Sequence, residues 1–186
     1  MFVIDVDDIL VHAATVEEHD RVLDQVLERI ARCGLKLNKK KCLFRVSSVK
    51  YLGQVFSGEG MKPDPDKVAA IKNLTPPQDI AAVRRFLGIV NYLGRYVPNF
   101  SSALQPINDL MKTDAEFFLD NRQREAFYTH KQSMSLETQL KFFDMSKPTY
   151  DSADASSYAL GACLMHNHDG HLNPWAYASR TIADSN

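Results

Sequence analysis

The 186-residue chain lacks most of the features that would set it apart from an ordinary globular protein. Its three cysteines, Cys33, Cys42 and Cys163, are far apart and form no CxxC pair, which argues against a disulfide framework and against a thiolate zinc ribbon. They read as reduced thiols of an intracellular protein. No apolar run is long enough to cross a bilayer, and the opening apolar stretch is too short and too acidic for a secretory leader. There is no internal repeat and no low-complexity tract. Net charge is nearly absent too: 22 Lys and Arg against 23 Asp and Glu leave −1.

What is present is uneven charge. Residues 1–33 hold 3 basic against 8 acidic residues, residues 34–100 hold 12 against 4, and residues 101–186 hold 7 against 11. A basic middle between acidic ends points to a polyanion contact confined to one segment, although a solvated basic face accounts for the same charges. With 45% hydrophobic residues the chain can form one domain or two small ones.

The rest is organised around Phe2-Val3-Ile4-Asp5-Val6-Asp7-Asp8-Ile9-Leu10-Val11. Two short, largely β-branched runs flank three carboxylates, which predicts a tight hairpin with Val6 and Asp7 near its tip. Carboxylates this close repel unless a cation sits among them, and Mg²⁺ is the natural hard-oxygen partner. An ordinary acidic turn is the plainer explanation.

Thr15-Val16-Glu17-Glu18 fits a capping box that starts a helix, with Val22, Val26 and Ile30 on one stripe and Gly34 as its C-cap. Lys39-Lys40-Lys41-Cys42 follows, then a strand-like Val49-Lys50-Tyr51-Leu52-Gly53-Gln54-Val55-Phe56-Ser57. Asp64-Pro65 starts the next helix. A third helix is predicted over 79–93, with Ile80, Val83, Leu87 and Val90 inward and Arg84 and Arg85 outward. A shorter one follows over 102–111, with Pro106 confined to its first turn. A helix over 122–134 places Ala126 and Phe127 inward and His130 at the surface. Strands around 149–164 and 175–180, with an Asp169-Gly170 turn, complete the pattern. His166, His168 and His171 cluster there, but zinc favours a closed four-ligand set, and a polar hairpin loop suffices.

Asp7-Asp8 and the apolar strand after them resemble the catalytic hairpin of reverse transcriptases. Leu35-Lys36-Leu37-Asn38, Lys41-Cys42, Tyr51-Leu52-Gly53, Ser57 and Gly60 are similar to gypsy-like long-terminal-repeat retrotransposon polymerases, in which the Tyr-Leu-Gly turn is the primer grip. Phe86-Leu87-Gly88, Asn91-Tyr92 and Arg95 through Ser101 resemble the thumb of that family. Asp154-Ala155-Ser156, Gly161-Ala162 and Tyr177-Ala178-Ser179-Arg180 resemble the opening of its tethered ribonuclease H.

The resemblance implies an α+β chain: a partial polymerase palm with a catalytic β-hairpin (1–61), a helical thumb (62–112), a connector (113–146), and a truncated ribonuclease H-like β-sheet (147–186). It implies Asp7, Asp8 and Asp154 as catalytic, Mg²⁺-binding carboxylates. Tyr51, Leu52, Gly53, Lys62, Lys67, Lys72, Arg84, Arg85, Asn91 and Arg95 would meet an RNA–DNA or DNA template–primer duplex, with a dNTP as co-substrate in the parent enzyme and no membrane partner. The fingers and the first palm aspartate would lie before Met1, and further nuclease carboxylates beyond Asn186. Asp5 stands where the family carries an aromatic residue. Two functions therefore stay open: a section of an RNA-directed DNA polymerase, inactive on its own, or a non-catalytic nucleic-acid-binding module or decayed relic.

Overall fold

A computed structural model describes residues 2–5, 7–111, 117–134 and 139–182. The chain divides into two compact units, Met1–Tyr51 and Leu52–Asn186.

In the first unit, β1 (Phe2–Asp5) and β2 (Asp8–Val11) form an antiparallel hairpin that sets Asp5 opposite Asp8 and Ile4 opposite Ile9. Val6, placed with Asp7 at the tip by the sequence pattern, lies outside the described residues. Helix α1 (Val16–Arg32) packs on β2 and buries Val26 and Ile30. The Thr15 hydroxyl accepts the Glu18 amide at its start. At its end the Gly34 amide donates to Ala31 and the Leu35 amide to Ile30, the paired bonds that close a helix through a left-handed residue. Arg45 donates to the Asp20 carboxylate and ties the following segment back to α1. That bond, helped by His19, holds the Asp20 carboxyl below its ordinary value. Strand β3 (Ser48–Tyr51) ends the unit.

In the second unit, β4 (Gln54–Ser57) pairs antiparallel with β5 (Gly60–Pro63). Gly60 has φ +137°, and a Cβ there would fall onto the Leu140 carbonyl oxygen. That close approach lets Met61 and Leu140 exchange backbone hydrogen bonds of 2.8 and 2.9 Å. Helix α2 (Pro65–Lys72) starts on the Asp64 side chain and α3 (Ile80–Leu93) on the Asp79 side chain, each accepting a first-turn amide. A 3-10 turn (Gly94–Tyr96), α4 (Phe100–Asp109) and α5 (Asn121–Ser133) follow. The core forms where Ile71, Val83, Phe86, Val90, Leu104 and Phe127 meet; Phe86 and Phe127 lie 4.9 Å apart between ring centroids.

Two sequence expectations fail here. Helix α4 begins at Phe100, not at 102, so Pro106 sits inside the helix rather than in its first turn. The buried Phe100 ring packs against Gly94 and anchors the earlier start. His130, expected at the surface, is 1% exposed and edge-on to Phe100 at 5.5 Å.

The last sheet orders β6 (Thr149–Ala155), β7 (Ala159–His168) and β8 (His171–Thr181) antiparallel, with Asp169 and Gly170 at φ +55° and +86° in the hairpin turn. His166 is a buried strand residue, not part of a polar loop. Its Nε2 accepts the Asp144 amide at 3.1 Å, its Nδ1 pairs with the Pro148 carbonyl at 3.1 Å, and its ring stacks on Trp175. With both nitrogens engaged it has no lone pair for zinc. Helix α4 abuts this sheet: the Ser101 amide donates to the Ser179 hydroxyl at 2.8 Å, and Asn99 occupies the space a side chain on Gly161 would need.

Candidate nucleic-acid interface

The acidic hairpin follows from strand pairing. Asp5 and Asp8 are cross-strand neighbours, and both, like Asp7, are exposed. Like charges placed directly opposite each other destabilise a strand pair, so this end of the ribbon favours a cation. Tyr51 is buried, and its hydroxyl is pushed above its ordinary value by that burial first and by the Asp5 and Asp8 carboxylates next. Asp7 and Asp8 are donors of the type Mg²⁺ takes. Among the described residues, however, no three His, Cys, Asp or Glu side chains converge on one point. The carboxylates present therefore do not close a metal site by themselves. Asp154 lies on β6 opposite Gly161, beside a cleft lined by Pro98, Asn99, Ser152, Cys163 and Tyr177; two-metal chemistry needs several converging carboxylates.

The second unit opens on a tighter arrangement. Leu52 and Gly53 both have positive φ, +50° and +69°, as a two-residue type I′ turn requires. The Tyr92 hydroxyl donates to the Leu52 carbonyl. A Cβ on Gly53 would lie 2.5 Å from Lys67 Nζ and 2.7 Å from the Tyr92 oxygen, so a side chain there would have to displace both as well as adopt a positive φ. Lys67 Nζ stands 3.6 Å from the Tyr92 ring centroid, and the Arg95 guanidinium 6.0 Å. One residue on, Gln54 is buried and accepts the Tyr96 hydroxyl at 2.8 Å. Burial pushes both the Tyr92 and Tyr96 hydroxyls up, so both remain protonated donors across neutral pH.

Helix α3 sorts its faces by spacing. Val83, Phe86, Val90 and Leu93 are buried; Arg84, Arg85, Gly88 and Asn91 are exposed. Arg84, Gly88 and Asn91 follow one another at intervals of four and three residues, and Arg95 continues the series four residues further, in the 3-10 turn. An added Cβ on Gly88 would meet nothing within 4 Å among the described residues. Packing in this fold thus gives no reason for a glycine in mid-helix, where it costs about 1 kcal/mol relative to alanine.

Of the sequence-selected residues, the structure brings Leu52, Gly53, Lys67 and Arg95 together around Tyr92, and sets Arg84, Arg85 and Asn91 on the exposed face of α3. Lys62 is half-buried on β5, and Lys72 is exposed in the last turn of α2, where any cation complements the helix dipole. Tyr92 and Gly88 stand in the thumb-like motifs of the sequence but not among the residues expected to meet a duplex. The Tyr92–Arg95 spacing of three, and a glycine amid an otherwise amphipathic helix, are the signals that could have found them.

Comparison with known proteins gives this geometry its class. Residues 2–56 match the family model of reverse transcriptase (RNA-dependent DNA polymerase), and residues 119–186 match the RNase H-like domain found in reverse transcriptase. The Tf2-3 polyprotein of a Schizosaccharomyces pombe transposon is 34% identical over 163 residues, and the Tf2-7 polyprotein of that yeast 33%. The match covers 88% of this chain but 12% of those polyproteins. A foamy viral protease–reverse transcriptase solved with double-stranded DNA superposes at a TM-score of 0.83 with 24% identity, over 98% of this chain and 32% of its own. The foamy viral enzyme solved with an RNA/DNA hybrid superposes at 0.81, also at 24% identity, over 98% of this chain and 25% of its own. These likenesses establish the fold. The chain belongs with the reverse transcriptase and ribonuclease H-like regions of retrotransposon polyproteins. No helix among the described residues is long and apolar enough to cross a membrane.

Proposed function

We propose that the second unit holds a template–primer duplex, RNA–DNA or DNA, through the Leu52–Gly53 turn and the exposed face of α3. In this reading the hairpin carrying Asp7 and Asp8 is the palm element, the turn is the grip, residues 62–112 are the thumb, and β6–β8 begin a ribonuclease H-like sheet. The observation that carries it is the Tyr92–Leu52 bond, which ties the turn to α3, the helix whose outer face carries Arg84, Arg85, Gly88 and Asn91. Cations with small and polar residues between them suit phosphates and a shallow groove. The solved foamy viral relatives were captured on duplexes, which supports the same ligand class.

Reverse transcriptases and ribonucleases H as families use divalent metal ions. Asp7 and Asp8 would be the Mg²⁺ ligands of the hairpin, and Asp154 the corresponding carboxylate of the sheet. Because the described carboxylates do not close a site, this chain is proposed to bind duplex without extending or cleaving it. The test is binding of a primed RNA template across a salt series, with primer extension by dNTP and Mg²⁺ assayed alongside. Salt-sensitive binding without incorporation supports the reading; incorporation that Asp7→Asn abolishes overturns its non-catalytic half.

A further inference from the structure

Tyr92 belongs to neither the acidic hairpin nor the set of cations, yet more of the grip converges on it than on any of them. Its hydroxyl donates to the Leu52 carbonyl, its ring carries Lys67 on its face, Arg95 stands within cation–π range of the same ring, and its oxygen fills the space above Gly53. From this convergence we infer that Tyr92 is a positioning residue which joins the Leu52–Gly53 turn and the Lys67 and Arg95 cations into one cradle for a phosphodiester group of the bound strand. The inference rests on the duplex-holding reading above.

The physical case has three parts. A carbonyl facing a phosphate would repel it, and the Tyr92 hydroxyl turns the Leu52 carbonyl toward α3 instead. A lysine free in solution loses rotamer freedom when it meets a phosphate, whereas Lys67 is already ordered on the ring, so less entropy is lost on binding. Gly53 admits both groups because it has no Cβ. The turn is therefore shaped by Tyr92 and Lys67 before any ligand arrives.

Tyr92→Phe and Tyr92→Leu in the full chain test this. The readouts are amide hydrogen exchange at residues 53 and 54, thermal unfolding, and binding of a fluorescently labelled primed RNA–DNA hybrid over a salt series. Tyr92→Phe should speed exchange at the turn about fivefold, as loss of one hydrogen bond does, while keeping the wild-type slope of log affinity against log salt. Tyr92→Leu should also flatten that slope by about one, the signature of a lost phosphate contact. A merely structural role would lower melting temperature and affinity but leave the slope alone, and that result overturns the inference. So does unchanged exchange in Tyr92→Phe. If the wild-type chain binds no hybrid even at about 50 mM salt, the duplex reading itself fails. If it binds and both variants match it, only the role of Tyr92 fails.

Discussion

Lys67 and Tyr92 are in face-on contact, the lysine ammonium 3.6 Å from the ring centroid, with Gly53 lying under both. The two side chains come from different helices, α2 and α3, and the turn they cover precedes both in the chain. Three elements are thus registered to one another by a single ring.

Gly53→Ala should show how tightly. An L-residue at φ +69° costs about 1–2 kcal/mol, and the new methyl must also displace the ammonium and the hydroxyl. Urea denaturation is expected to report a loss of about 2–3 kcal/mol, with weakened duplex binding beyond what the lost stability explains.

Gly88→Ala should split stability from function. No described residue comes within 4 Å of the new methyl, so the helix gains about 1 kcal/mol. If the α3 face meets a duplex, affinity falls while melting temperature rises. A variant that is both more stable and equally tight would remove Gly88 from the interface.

The buried pair Tyr96–Gln54 should behave as a unit. Tyr96→Phe leaves the Gln54 carbonyl oxygen buried and unsatisfied, at a cost of about 1–3 kcal/mol. Adding Gln54→Leu to that variant should recover part of the loss, because the stranded acceptor is removed along with its donor. A double-mutant cycle by chemical denaturation measures the coupling.

His130 should make the fold acid-sensitive. Burial lowers its pKa from the ordinary 6.5, outweighing the opposing Ala103 backbone carbonyl. Below about pH 6.5 the unfolded chain therefore binds a proton that the folded chain refuses. Stability contributed by the neutral ring is full above that value and declines as pH falls toward the lowered folded pKa, with a limiting slope of about 1.4 kcal/mol per pH unit. Denaturation at pH 7.5 and 5.5 should show this decline in the wild type and a smaller one in His130→Leu.

How far the sequence could foretell this depended on the kind of interaction. Local rules worked: Thr15 and Asp64 cap their helices because short polar side chains reach first-turn amides, and the β-branched runs around the acidic residues pair as an antiparallel hairpin that sets Asp5 opposite Asp8. The spacing placed Val83 and Val90 of α3 inward, but Phe86 and Leu93 complete the buried face where Ile80 and Leu87 were expected, and those two are only half-buried. Long-range packing was hidden. His130 reads as polar, yet Phe100, thirty residues earlier, covers it; Pro106 reads as a first-turn residue until the buried Phe100 pulls the helix start two positions back. His166 looked like part of a loop because its partners, the Asp144 amide and the Pro148 carbonyl, lie about twenty residues away. The role of Tyr92, quoted only as part of a thumb-like motif, was hidden for the same reason: its bond to Leu52 spans forty residues.

The central claim is that the Leu52 turn and the outer face of α3 hold a duplex through its phosphates. Equilibrium binding of a primed RNA–DNA hybrid, measured from low to physiological salt for the wild type and for Arg84→Gln/Arg85→Gln/Arg95→Gln, tests it most directly. The account predicts steeply salt-dependent wild-type binding, and a triple variant that folds normally, binds more weakly and has a slope shallower by about two to three. Equal slopes and equal affinities for the two proteins would contradict it.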